Sequence, residues 1–127
     1  MASEADARRL ALAQPEARED RHRGKPTFRV NGKIFAMLRA QKAGVARGRS
    51  MFAPLDGARP VALVKLERED QLNLAAAHPD AIQPTADYPH HGWTHVWLEE
   101  VDPETLALVI RLAWACVAPR RLSRFSG

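Results

Sequence analysis

Three groups of side chains in this chain could carry chemistry. The first is cationic: Arg21, Arg23, Lys25, Arg29, Lys33, Arg39, Lys42, Arg47, Arg49, Arg59 and Lys65 lie in one stretch whose only acid is Asp56, a local net of +10. Cations spaced along a surface contact phosphates, and such contacts weaken steeply with salt because binding releases counterions. Eight of them, Arg29, Lys33, Arg39, Lys42, Arg47, Arg49, Arg59 and Lys65, form the candidate nucleic-acid-binding set. The stretch from Leu66 to Thr105 is the opposite, with nine acids against Arg68 alone, a net of −8. The alternative partner for the basic stretch is therefore the acidic half of the same fold, or another protein's acidic face.

The second group is His90, His91 and His95 with Tyr88 and Trp93. Imidazoles at this density suit a transition metal. The segment, however, reads as turn and strand, so His91 and His95 lack the shared helical face of an HExxH site. On a strand, His91, Trp93 and His95 line one side. Tyr88, His91, Trp93 and His95 are thus a possible groove, while ordinary surface histidines beside an inward tryptophan are the plainer reading. The third group, Glu99, Glu100, Asp102 and Glu104, sits at a helix start, where carboxylates are favourable without any catalysis. Cys116, the only cysteine, lies among apolar residues and reads as an inert core thiol; it excludes an internal disulfide and a Cys-based zinc site. No nucleophile stands beside a base, and Gly44, Gly48 and Gly57 fit no phosphate-loop spacing. No enzyme, cofactor or metal is expected.

These groups must be positioned by a small domain. The 127 residues, 46% hydrophobic and 27% charged, are enough for one core. No apolar run reaches the ~20 residues that span a bilayer, and no signal peptide is visible, so a cytoplasmic, membrane-free protein is expected. Residues 1–127 read as one domain: a core over about 5–119, a flexible basic segment 39–59 and a short tail 120–127.

Ser3 to about Gln14 reads as a helix stopped by Pro15, with Leu10 and Ala13 on one side and Ala7 and Ala11 close by. Glu16–Lys25 reads as a charged connector. Asn31-Gly32 between two β-prone runs is a hairpin signal. A two-residue loop sets Val30 against Lys33 and puts Phe28, Val30, Phe35 and Met37 on one face. A three-residue loop with a Gly bulge aligns Phe28 with Ile34 instead; the first register is preferred. Arg39–Arg59 reads as a mobile loop or an extended arm.

Val61–Leu66 is a third strand. Glu67–His78 is a short helix with Leu72, Ala75 and Ala76 inward. Ile82–Tyr88 and Thr94–Leu98 are two further strands. Asp102-Pro103-Glu104 starts a helix running to about Val117. That helix is apolar nearly all round and must be covered by the core, the preferred reading, or in part by a second copy. The expected fold is α+β, an antiparallel sheet of about five strands with helices on one face, in the order α-β-β-β-α-β-β-α.

FRVNGKIFAML, VALVKLEREDQ, HPD, Tyr88 followed by HGWTHVWL, and the closing APRRL resemble, in that order, the MmcQ/YjbR family across about residues 5–122. The resemblance implies a CyaY-like (frataxin-like) α+β arrangement and the family's DNA-binding label; it brings no catalytic residues. Relative to that pattern the Arg39–Arg59 link is long, and Lys42, Arg47 and Arg49 make it more basic. A frataxin-like iron ridge on the first helix is opposed by Arg8 and Arg9, which offset Glu4 and Asp6. The functional expectation is weak, mainly sequence-independent binding of DNA or RNA through the hairpin and the basic segment. The alternative is a protein-interaction or small-ligand scaffold without nucleic acid. Monomer and homodimer both stay open.

Overall fold

The computed structural model describes residues 2–22, 25–41, 59–85 and 92–119. Within them run α1 (Glu4–Leu12), β1 (Arg18–His22), β2 (Lys25–Val30), β3 (Lys33–Gln41), β4 (Arg59–Lys65), α2 (Arg68–Ala77), β5 (Ile82–Pro84), β6 (Trp93–Trp97) and α3 (Pro103–Val117). The strands form one sheet in the order β1-β2-β3-β4-β6-β5, every neighbouring pair antiparallel. The α+β architecture is the expected one. The sheet has six strands, because the charged connector contains β1.

Helix ends follow local chemistry. Ser3 and Asp6 form a reciprocal capping box: the Asp6 amide donates to Ser3 Oγ at 3.1 Å and the Ser3 amide to Asp6 Oδ2 at 3.0 Å. Asp102 accepts from the Thr105 amide at 2.8 Å, with Pro103 opening α3 where its missing N–H is harmless. α3 buries Leu106, Val109, Ile110, Ala113, Trp114 and Val117 against the sheet and α1. Trp114 is fully buried, and its indole N–H donates to the Pro15 carbonyl at 3.0 Å, which ties the chain leaving α1 to the core helix.

Strand alternation separates two faces. Phe28, Val30, Ala36, Leu38, Ala62, Val64 and Val96 join the main core with residues of all three helices. Met37 and Leu63, and separately Val61 and Trp97, make small buried clusters on the other face. The hairpin has the two-residue loop: Val30 pairs Lys33, and Asn31 and Gly32 both take positive φ, 53° and 77°. The expected common face fails at Met37. Between the pairs Arg29–Ile34 and Phe28–Ala36, β3 advances two residues while β2 advances one. Phe35 is the extra residue of a bulge, which sends Met37 to the face opposite Phe28.

α2 is also rotated from its expected phase. Gln71 and Leu74 are buried, Ala75 only partly, Ala76 is exposed and Leu72 is 49% exposed. The Gln71 amide nitrogen donates to Thr94 Oγ1 at 2.8 Å and to the Trp93 carbonyl at 3.2 Å, so a buried polar tie overrides apolar periodicity. In α1, Ala7 and Ala11 are buried, Leu10 is half-buried and Ala13 is exposed. No helix among the described residues is long and apolar enough to cross a membrane.

Candidate nucleic-acid interface

β1, β2 and β3 form a meander at one edge of the sheet, and six of the twelve described Lys and Arg residues lie on it. Residues 18–33 contain six Lys or Arg against Glu19 and Asp20, a net of +4. Arg18, Arg21 and Lys33 are exposed; Lys25 and Arg29 are half-buried. β1 is an outer strand made of Arg-Glu-Asp-Arg-His, and such charge discourages edge-to-edge pairing with other sheets.

Arg18 and Arg29 are Cα partners across β1 and β2. Like charges directly opposite one another are unfavourable. Arg29 is therefore held from two sides: Nη1 donates to the Gly32 carbonyl at 3.0 Å, and Nε lies 3.4 Å from Asp20 Oδ2. The latter contact is an ion pair without the alignment of a hydrogen bond, since Nε makes none. A shallow cavity of about 460 Å³ lies here, lined by Arg18, Asp20, Arg29 and Asn31 among others. On the helix side, Glu19 accepts from Arg8 at 3.1 Å.

The candidate cations do not converge at one point. Arg29, Lys33 and Lys65 lie toward the Asn31-Gly32 end of the sheet. Arg39 pairs Val61, and Arg59 pairs Gln41, toward the other end, where β3 and β4 finish and start. Lys65 is spoken for by Trp93, its Nζ 5.9 Å from the ring centroid, a cation–π contact between register partners. Lys42, Arg47 and Arg49 lie outside the described residues.

Of the groove candidates, Tyr88 and His91 also lie outside the described residues. Trp93, His95 and Trp97 share one side of β6, as alternation requires. Trp93 is half-buried, whereas His95, expected at the surface, is fully buried and stacked on Trp97 at 6.1 Å between ring centroids. Apolar Leu63 and Val61 oppose His95 and Trp97 on β4, so burial of these two goes with the second apolar face of the sheet. Among the described residues no group of three His, Cys, Asp or Glu side chains is placed to hold a metal ion. Cys116 is half-buried, its thiol 3.6 Å from Glu67 Oε1, and burial, then the Glu67 carboxylate, push its pKa up to about 11.

Arg18 and β1 escaped the sequence reading because β1 has no apolar alternation. Charge gave no periodic signal either: Arg18 and Asp20 fall on the face of Arg29 and Glu19 and Arg21 on the face of Phe28, so each face carries one charge of each sign.

An antiparallel sheet backed by helices and edged by a basic meander defines a small α+β domain. A family model matches residues 12–116, and the chain belongs to the YjbR family. No curated protein matches it. Two crystal structures share the fold. One is a Deinococcus radiodurans protein with a DUF419 domain, 18% identical, TM-score 0.68, covering 100% of this chain and 89% of that one. The other is a Pseudomonas syringae protein, 16% identical, TM-score 0.68, covering 90% of this chain and 97% of that one.

Proposed function

We propose that this YjbR-family protein binds the phosphate backbone of DNA or RNA weakly and with little sequence preference, through the β1–β2–β3 ribbon. The observation that supports this reading is the concentration of Arg18, Arg21, Lys25, Arg29 and Lys33 on one three-stranded edge, the first, second and last of them exposed. Arg39, Lys42, Arg47, Arg49 and Arg59 extend the same sign of charge along the chain. Cations spaced along such a sheet edge contact phosphates and position the protein without reading sequence. Base readout has no comparable support, because the exposed charged side chains of the ribbon strands, divided between the two faces, are Arg18, Glu19, Asp20, Arg21 and Lys33, without an Asn or Gln fork beyond Asn31 in the turn.

Anisotropy titration of labelled duplex and single-stranded oligonucleotides at two salt concentrations tests this. Engagement of about four cations gives a log–log salt slope near −3.6 on duplex DNA. Replacing Arg18 and Lys33 together by Glu lowers affinity for every sequence alike. Absence of binding at low salt, or binding indifferent to salt, overturns the proposal.

A further inference from the structure

α3 presents a second surface that the core does not use. Glu104, Leu108, Arg111 and Ala115 follow one another at helical spacing along its outward side, and all four are exposed, Leu108 at 38%. Beside this stripe runs an open groove of about 340 Å³ between α1 and α3, lined by Leu10, Gln14, Ala107 and Leu108, with Glu104 at one end and Arg111 at the other.

The two charges have a particular relation. They are seven residues apart, about 10.5 Å along the axis and nearly on the same side. That is too far for them to meet on one helix. Among the described residues neither has an ion-pair partner. Their midpoint falls between Ala107 and Leu108, at the apolar centre of the stripe.

A pattern of acid, apolar centre and base is complementary to itself when reversed. We infer that two copies of this chain pair through this face, α3 against α3, antiparallel about a twofold axis beside Leu108. Glu104 then meets Arg111 of the partner subunit, and Arg111 meets Glu104 of the partner subunit. Each Leu108 enters the groove that Leu10 and Ala107 line on the other copy. Burial of the leucines supplies affinity, and the charges set the orientation, because a parallel pairing places Glu beside Glu and Arg beside Arg. The contact is isologous and closes at two copies. It is independent of nucleic-acid binding, whose ribbon lies at the β1 edge.

Sedimentation velocity of the full chain over a concentration series tests the inference, with circular dichroism to confirm that each variant folds. The wild type is expected to shift from monomer to dimer as concentration rises. Glu104→Arg and Arg111→Glu each replace two attractions by two repulsions, and each weakens self-association by roughly tenfold or more. Mixing these two variants restores association as a heterodimer, and the double variant Glu104→Arg/Arg111→Glu restores the homodimer. A wild type that stays monomeric throughout, or single variants that associate as the wild type does, overturns the inference.

Discussion

Asp20 restrains Arg29 across the β1–β2 pair. Its carboxylate lies 3.4 Å from Arg29 Nε on the face where Arg18 stands directly opposite Arg29. The acid offsets the repulsion between two guanidiniums, and it also occupies part of the charge that a phosphate would use. Asp20→Asn is therefore expected to strengthen polyanion binding a few-fold at low salt and to steepen the salt slope by about 1. Asp20 is exposed, and Asn keeps an oxygen beside the buried Arg29 Nε, so folding stability should change by less than ~1 kcal/mol. Anisotropy titrations of the variant beside the wild type measure the first effect, and urea denaturation the second. Unchanged or weaker binding would remove Arg29 from the interface.

Two glycines with similar backbone angles should respond differently to alanine. Gly32 has φ +77° and open space around the position of a Cβ; Gly92 has φ +82°, but a Cβ there comes within 2.1 Å of the Leu66 carbonyl oxygen. That approach lets the Leu66 amide donate to the Gly92 carbonyl at 2.9 Å, closing the chain where β4 ends against the entry to β6. Gly32→Ala carries only the left-handed backbone cost, about 1 kcal/mol. Gly92→Ala must also move backbone, and a loss of about 3 kcal/mol or more is expected. Urea midpoints of the two variants, compared at equal m-value, decide the matter; equal losses would contradict the close approach.

Much of this fold is legible in the residues, and the failures share a cause. The Ser3 capping box, the Asp102-Pro103 start and the Asn31-Gly32 turn are local signals, and the chain honours each of them. The bulge at Phe35 is not local. The run Ile34-Phe35-Ala36-Met37-Leu38 is apolar throughout, so either register buries apolar side chains and composition cannot choose a face for Met37. Gln71 displaces Leu72 from the interior because its partner, Thr94, is twenty-three residues away. The candidate site was half visible. The sign of the charge could be read from the hairpin, yet the edge strand that carries Arg18 looks like a linker until it is paired. His95 read as a surface residue because its burial depends on the second face of the sheet.

Acid should weaken the helix starts. Hydrogen bonds from Thr105 hold the Asp102 carboxyl below its ordinary value near 3.8, and hydrogen bonds from Ser3 do the same for Asp6. A depressed folded pKa means that the contribution is present above the unfolded value. It is lost as pH falls below about 4 and through the still lower folded value. Asn is also a good cap and does not titrate in this range. Asp102→Asn is thus expected to match the wild type less closely at pH 7 than at pH 2.5, the gap narrowing as acid removes the wild-type advantage. Thermal melts across this range measure it, and a pH-independent gap would show that Asp102 does not titrate with folding.

Cys116 should be a slow thiol whose rate reports on Glu67. Its Sγ lies 3.6 Å from Glu67 Oε1, and burial followed by that carboxylate raises its pKa from 9.0 to about 11. Two units leave roughly a hundredfold less thiolate at pH 8 than an ordinary cysteine has, and the thiolate is the nucleophile. The raised value also means that the thiol's contribution to stability is full below pH 9 and is lost as pH climbs toward 11. Glu67→Gln removes the nearby negative charge but keeps the side chain's size and its acceptor oxygen. Alkylation by iodoacetamide, followed by mass spectrometry against pH, should show the variant reacting several-fold faster at pH 8 with its profile shifted to lower pH. Stability in urea should differ little at pH 7, where the thiol is protonated in both proteins. A variant that reacts faster with no movement of its pH profile would instead reveal greater exposure of Cys116, and the electrostatic role assigned to Glu67 would fail.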